Sequence, residues 1–277
     1  MIKILDTSNI NFYKNLKKII NIRKRNINYK NRLVLKIINE VKKNGDKALI
    51  KYEKKFNLNS KIKISNIDIK TSIKKLDRKV KKSIDLAYSR IFKYHSNQKY
   101  NDLKFNDKLG NKFEYKFLPI EKVGIYVPGG SASYPSTVLM NAIPAVIAKV
   151  KKIVMVSPLF EGKINPGVIY AAYKCKIKDI YCIGGAQAIA ALTYGTRSVQ
   201  NVNKIVGPGN KFVTFAKKEV FGEVGIDMIA GPSEITVVAD RYSNPEWIAA
   251  DLISQAEHDK LSQSILISSN YKILKKV

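Results

Sequence analysis

From residue 122 onwards, the sequence alternates between short apolar segments and longer segments with apolar residues at helical spacing. The short segments are typical of buried strands, and the longer ones are predicted as helices of about ten residues or more. Strands joined in this way form βαβ units, whose parallel sheet is covered by helices on both faces. We therefore predict an α/β fold with strands at residues 123–127, 153–156, 180–183, 205–206, 235–239 and 265–267.

The first 120 residues are less regular. Residues 1–30 resemble a basic arm with little pattern, whereas residues 32–41 carry apolar side chains at helical spacing. Asn44-Gly45-Asp46 interrupts that helix, and Asp46 is predicted to cap the next one. A further amphipathic helix is predicted through residues 84–94.

The sequence has 50 Lys and Arg against 22 Asp and Glu, a formal net charge of +28. The excess lies in the first 120 residues, which hold 32 basic and 10 acidic residues. Such an excess can bind nucleic acid, but here lysine accompanies frequent Ile and Asn, the bias expected of an A/T-rich genome. No zinc-finger or RNA-binding signature is present in the sequence, so nucleic-acid binding is the less favoured hypothesis.

Three features bear on the compartment. No run approaches the roughly 18 apolar residues of a membrane helix, and the amino terminus does not resemble a secretory signal. Cys175 and Cys182 are too few for a disulfide framework, and their positions favour a place in the core over a redox role. We expect a cytoplasmic protein with no membrane partner.

Three glycine-containing turns each follow a predicted strand and precede a predicted helix. They are Pro128-Gly129-Gly130-Ser131, Gly184-Gly185-Ala186-Gln187 and Gly207-Pro208-Gly209-Asn210. Ligands of open α/β sheets bind at the carboxyl ends of strands, and glycine lets the backbone approach a phosphate. Tight turns that need glycine for their geometry explain the same pattern, and none of the three is a GxGxxG fingerprint. The spacing alone leaves both interpretations open.

A few polar residues near the end of the chain are candidates for a site. Ser233 follows Gly231-Pro232 in a sequence that differs from the GxSxG nucleophile motif, so by itself it favours a turn or a cap. Gln255 and His258 share one face of a predicted helix, which is compatible with metal binding, although zinc normally takes three or four ligands. On spacing alone, a histidine that interacts with the terminal carbonyls of the helix is the favoured explanation of His258. His95 is expected to be structural or on the surface.

Taken together, several long segments resemble the histidinol dehydrogenase family. The resemblance runs from about residue 32 to the end and is carried by VGIYVPGGSASYPSTVLMNAIPAVIAKV, GGAQAIAALTYGT, KIVGPGNKFVTFAKKEVF, IDMIAGPSEITVVAD and DLISQAEHD. It implies NAD-dependent, zinc-assisted oxidation of L-histidinol through histidinaldehyde to L-histidine, the last steps of histidine biosynthesis. The absence of a GxGxxG motif from this sequence agrees with the resemblance, because the family binds NAD without that motif.

The resemblance also implies an architecture and a set of site residues. Two incomplete Rossmann-like domains are expected, with residues 126–234 inserted into a discontinuous first domain of residues 25–125 and 235–277, after an arm of residues 1–24. A homodimer is implied as well. The implied site residues are Tyr126, Gln187 and Asn210 for NAD, Ser233 for the substrate, and Gln255 and His258 for both zinc and the substrate.

Members of this family continue beyond the position at which this sequence stops. The resemblance therefore implies a truncated chain that lacks the Glu-His pair for acid/base catalysis, two zinc ligands and a substrate-contacting Glu. We expect no catalytic residue within this chain. It is interpreted either as a fragment of a longer enzyme or as the product of an interrupted gene, and a non-catalytic remnant that still binds NAD is the alternative function.

Overall fold

The computed structural model describes residues 3–27, 32–98, 100–129, 134–229, 233–257 and 262–277, without the side chains of residues 22–27. The chain divides into two compact units, Asn31–Ile229 and the combination of Met1–Lys30 with Ala230–Val277. Each unit is described by itself below.

The helices and strands of the two units follow the chain in a simple order. The helices are α1 Phe12–Ile27, α2 Arg32–Asn44, α3 Asp46–Asn57, α4 Asn66–Lys75, α5 Arg78–Ser96, α6 Pro135–Ile147, α7 Pro166–Lys174, α8 Gly185–Tyr194, α9 Lys211–Val220, α10 Pro245–Ala256 and α11 Tyr271–Lys276. The strands are β1 Leu103–Asn106, β2 Lys112–Tyr115, β3 Lys122–Tyr126, β4 Lys152–Val156, β5 Asp179–Tyr181, β6 Lys204–Val206, β7 Gly225–Ile226, β8 Glu234–Ala239 and β9 Gln263–Ser268.

The larger unit is built on a five-stranded sheet in the order β5-β4-β3-β6-β7, and all of its pairings are parallel. The chain starts at the central strand β3, moves outwards through β4 and β5, and then returns to the other side of β3 with β6. The order therefore reverses between β3 and β6, which makes the carboxyl end of β3 a topological switch point of the kind at which α/β sheets bind ligands.

Helices cover both faces of this sheet because consecutive strand residues point to opposite sides. Tyr126, Val154 and Val156 join the core beneath α2, α3, α8 and α9. Ile125 and Met155 join the core on the other face, where α4, α5, α6 and α7 pack. The helices of residues 32–96 thus bury their apolar sides in the same unit as the sheet.

The break between α2 and α3 lies where the sequence predicts it, but the residue that caps α3 is not the predicted one. Gly45 adopts a positive φ of 51° and is itself the cap residue of α3. The carboxylate of Asp46 accepts hydrogen bonds from the Ser198 backbone and hydroxyl groups instead. The prediction that Asp46 caps α3 is wrong, because its side chain is used for a long-range contact.

The smaller unit contains one βαβ element. Strands β8 and β9 pair in parallel from Glu234 opposite Gln263 to Ala239 opposite Ser268, with α10 as their connection. Ala239, Ile248 and Ile273 form its small core, to which α11 contributes the last of the three.

The predicted α/β class with parallel sheets is confirmed. Helix α1 lies in the segment that was expected to be an arm with little pattern, and the antiparallel hairpin of β1 and β2 was not predicted. The predicted limits of the inserted domain stay a prediction. None of the helices in the described ranges is both long and apolar enough to cross a membrane.

Candidate functional site

The turns after β3, β4 and β5 pack closely at the carboxyl edge of the five-stranded sheet. A side chain at Gly129 would place its Cβ 2.7 Å from Pro158 Cγ, and one at Gly184 would place it 2.6 Å from Pro158 Cβ. Pro158 therefore lies between two glycines that leave no room for a side chain. Packing within the fold is a sufficient reason for both glycines; residues 130–133 lie outside the described residues.

Tyr126, the last residue of β3, connects the two turns on either side of the switch point. Its hydroxyl accepts a hydrogen bond of 3.0 Å from the Gly185 backbone N–H, at the start of α8. Its carbonyl oxygen lies only 2.2 Å from the position that a Cβ of Gly207 would occupy, and Gly207 has a φ of 109°. Glycine is required at this position by both backbone geometry and space.

A buried carboxylate from α3 completes this arrangement. Glu53 Oε1 accepts hydrogen bonds from the Gly184 backbone N–H at 2.9 Å and from Gln187 Nε2 at 2.8 Å. Glu53 and Gln187 are each 1% exposed. Burial raises the pKa of Glu53 above its ordinary value, and the three donors that bond the carboxylate, those of Gly184, Asn57 and Gln187, oppose that shift.

The protonation state of Tyr126 follows from its surroundings. Burial is the main cause that raises the pKa of Tyr126 to about 12, with a smaller contribution from the nearby charge of Glu53. The phenol therefore keeps its proton at neutral pH. Tyr126 can hold the turn through hydrogen bonds, but it is not suited to act as a base there.

Asn210 and a buried lysine organise the turn after β6. Asn210 Oδ1 accepts hydrogen bonds from the backbone N–H groups of Phe212 and Val213, so this side chain caps α9. Lys217, on the same helix, donates to the Gly207 carbonyl at 3.0 Å and forms an ion pair with Asp227. Asp227 Oδ2 in turn accepts from the Gly207 backbone N–H at 2.8 Å. Both polar groups of Gly207 are thus bonded by one pair of charged side chains.

Sequence reasoning missed Glu53, Lys217 and Asp227. A signal for the first two is present in the sequence, because each is a charged residue on the apolar side of its helix. Glu53 follows buried Leu49 by four residues, and Lys217 follows buried Val213 by four. A charge at such a position is rarely buried unless it has hydrogen-bond partners, and both residues have them.

Ser233 and Gln255, two of the residues expected at the substrate, lie at one end of the βαβ element of the smaller unit. Ser233 directly precedes β8, and its carbonyl accepts a hydrogen bond from Gln263, the first residue of β9. Gln255 belongs to the last turn of α10 and is half-buried. His258 lies outside the described residues. Because α10 runs opposite to the strands, Ser233 and Gln255 are at the amino ends of β8 and β9.

The residues expected to bind zinc do not by themselves make a zinc site. Zinc in proteins normally has three or four ligands from Cys, His, Asp or Glu side chains. Within the described residues, no group of three or more such side chains is placed to hold a metal ion. An amide oxygen from Gln255 together with one histidine is an incomplete donor set.

The chain matches known proteins over most of its length. The sequence profile named Histidinol dehydrogenase matches residues 21–277. Histidinol dehydrogenase of Pelagibacter ubique is 61% identical over 278 residues, which cover 100% of this chain and 65% of that protein. The enzyme of the same name from Agrobacterium fabrum is 49% identical over 251 residues, 89% of this chain and 58% of that one.

A solved structure agrees with these sequence matches. The crystal structure of histidinol dehydrogenase from Elizabethkingia anophelis superposes with a TM-score of 0.82 at 44% identity, over 88% of this chain and 57% of that one. The chain therefore spans between 57% and 65% of the length of these three relatives. On the evidence of sequence and of fold together, the chain belongs to the histidinol dehydrogenase family.

Proposed function

We propose that this chain binds NAD at the carboxyl edge of the five-stranded sheet and takes part in the oxidation of L-histidinol through histidinaldehyde to L-histidine. One observation carries the proposal for the nucleotide. Tyr126 lies at the switch point of the sheet, where its hydroxyl meets the turn that holds Gln187 and its carbonyl meets the turn that leads to Asn210. Membership in a family of dehydrogenases supports the reaction.

The three residues proposed for NAD differ in what they can contribute. Asn210 is exposed, and since its Oδ1 caps α9, its Nδ2 group is the part that we expect to meet the nucleotide. Tyr126 and Gln187 are buried and hydrogen-bonded within the turn. Their expected contribution is to hold the backbone of Gly184 and Gly185 in the shape that NAD contacts.

Ser233, Gln255 and His258 are proposed as substrate contacts, with Gln255 and His258 as two of the zinc ligands. Ser233 and Gln255 lie at the same end of the βαβ element of the smaller unit, which supports the grouping of these two residues. Two donors do not fill a zinc shell, so we assign no step of the reaction to zinc on the residues of this chain. A general base to take the hydroxyl proton during hydride transfer would also have to come from other residues.

The proposal is tested by supplying the purified chain with NAD, histidinol and zinc and following NADH absorbance. Zinc-dependent NADH formation that is lost in His258→Ala would support the full reaction, whereas a fully active His258→Ala protein would contradict it. NAD binding without NADH formation under any zinc supply would favour the alternative, a non-catalytic remnant. A chain that binds no NAD would contradict both.

Two further properties belong to the same proposal. We propose a homodimer for a protein of the relatives' full length, which sedimentation of such a protein at several concentrations tests directly. A cytoplasmic location is proposed as well, and fractionation of the native cells with an antibody against the chain would test it.

A further inference from the structure

Glu53 bonds both a backbone group and a side chain at the start of α8, those of Gly184 and Gln187. One of its carboxylate oxygens bonds Gly184 and Gln187, and the other accepts from Asn57 Nδ2 at 2.6 Å. All three partners are uncharged. Tyr126 and Cys182 are close enough for the charge of Glu53 to affect their pKa. Both stay neutral at pH 7, because burial raises the pKa of Tyr126 to about 12 and that of Cys182 to about 11.

A carboxylate in this environment is costly for folding. Burying a charge without an ion-pair partner is unfavourable, and an apolar side chain would continue the buried side of α3 formed by Leu49 and Tyr52. The interactions that offset this cost are specific to the position of Glu53. It accepts three hydrogen bonds and lies at the amino end of α8, where the helix dipole favours a negative charge.

The hydrogen bonds of Glu53 hold a segment that contains two consecutive glycines. Gly184 and Gly185 have the greatest backbone freedom of any residues, and α8 has no capping side chain from its own cap residue, Gly184. Glu53 fixes Gly184 and Gln187, and the Tyr126 hydroxyl fixes Gly185 between them. A segment fixed at three of its four residues presents one backbone shape to a ligand, which lowers the entropy cost of binding.

We propose that Glu53 is a positioning residue that holds the Gly184–Gln187 turn in the conformation that NAD meets. This inference rests on the proposed binding of NAD. Glu53 acts through Gly184 and Gln187 and does not itself touch the nucleotide.

The test compares three variants of the full chain by NAD titration. Glu53→Met removes the acceptor and is expected to weaken NAD binding roughly tenfold, the effect of losing buried hydrogen bonds. Glu53→Gln keeps an acceptor oxygen for Gly184 and Gln187 and is expected to bind NAD within about twofold of the native chain. Asn57→Leu removes only the outer donor at a half-buried position, so a smaller loss is expected from a variant that remains folded.

Two controls separate positioning from a general loss of stability. Ile169→Ala destabilises the core on the other face of the sheet and is expected to leave the dissociation constant of NAD unchanged. Glu53→Met combined with Gln187→Leu is expected to weaken NAD binding no more than the stronger of the two single changes, because both break the same link.

Amide hydrogen exchange without NAD provides a readout that does not depend on the nucleotide. The Gly184 and Gly185 amides are expected to exchange faster in Glu53→Met and Asn57→Leu than in the native chain, with Glu53→Gln close to native. Amide exchange at the native rate in both Glu53→Met and Asn57→Leu would overturn the inference. Native NAD affinity in either of these two variants would overturn it as well. A native chain that binds no NAD contradicts the proposed function, while exchange then decides whether Glu53 holds the turn.

Discussion

Two glycines of the larger unit show that positive φ and close packing are separate reasons for the presence of glycine. Gly207 and Gly222 adopt the same φ of 109°, yet only Gly207 approaches another part of the backbone, the Tyr126 carbonyl. At Gly222 nothing lies within 4 Å of the position of a Cβ. Positive φ is therefore common to both, and the close approach between neighbouring turns is specific to Gly207.

Gly207→Ala is expected to destabilise the larger unit by at least about 2 kcal/mol, because backbone strain adds to a clash that only movement of the turn can relieve. Gly222→Ala, with equal strain and open space, is expected to cost only about 1 kcal/mol. Urea unfolding of both variants measures the difference. Equal destabilisation would contradict the view that the contact with Tyr126 matters.

Glu53 is expected to make stability depend on pH in a definite direction. Its pKa is raised on folding, so the folded chain binds the proton more tightly, and stability falls as pH rises from the ordinary value of 4.5 through the raised value. Glu53→Gln cannot titrate at this position. The stability of the variant minus that of the native chain should therefore increase across this window and then level off.

The measurement is urea unfolding of both proteins at a series of pH values from about 4 to 8. Other titrating groups, including Asp68 with its pKa lowered to about 2, are present in both chains and cancel in the difference. A difference that does not change with pH would mean that Glu53 titrates alike in the folded and unfolded chains.

At the scale of elements, helices of the larger unit both cover the sheet and hold its turns. Helix α3 reaches the turn before α8 through Glu53, and α9 reaches the turn before itself through Lys217. In each case, a buried charged side chain on the inner side of the helix bonds a glycine backbone. The turns with the least intrinsic rigidity are thereby tied to rigid elements.

Lys217→Met is expected to destabilise the chain by about 1–3 kcal/mol, because the Gly207 carbonyl loses its Lys217 donor and Asp227 loses its ion-pair partner. Lys218→Met is the matched control on the same helix, since Lys218 is exposed. That variant should change stability by less than about 0.5 kcal/mol. Thermal unfolding of the two variants measures the difference in stability. An equally small loss of stability in both would contradict a structural role for Lys217.

Most elements of the sheet could be predicted from the sequence, because the period of apolar residues reports burial directly. Strands β3, β4 and β5 and helix α8 lie where the pattern places them. The hairpin of β1 and β2 escaped prediction although Leu103 and Phe105 alternate with polar residues in β1, because each strand has only four residues and all of them are exposed. Helix α1 carries Phe12, Leu16, Ile19 and Ile20 at helical spacing, and it was missed because the many basic residues of the segment were interpreted as an arm.

At the scale of the whole molecule, the candidate site residues fall into two groups that belong to different compact units. Tyr126, Gln187 and Asn210 lie in the larger unit with the five-stranded sheet, and Ser233 and Gln255 lie in the smaller one. The positions of these residues were predicted through a resemblance to a family rather than from spacing. Spacing could not identify them because glycine turns serve packing and ligands alike.

The roles of Glu53 and Lys217 could not be predicted, since each depends on contacts that only the fold creates, although the partners of Lys217 are just ten residues away in the sequence. Glu53 bonds Gly184 across 131 residues. A sequence pattern reveals that a charged residue lies on an apolar helix face, but only the fold reveals which groups it bonds. The hydrogen bonds by which these two charged residues hold the turns are thus a property of the folded unit.

NAD titration of the native chain beside Asn210→Ser and Asn210→Ala tests the proposed nucleotide site most directly. Serine retains an oxygen that can cap α9, whereas alanine loses the cap at a cost of about 1 kcal/mol. If Asn210 binds NAD, both variants should bind it more weakly than the native chain, although only alanine lowers the thermal stability. Native NAD affinity in Asn210→Ser, or no binding by the native chain, would contradict a nucleotide site at this edge of the sheet.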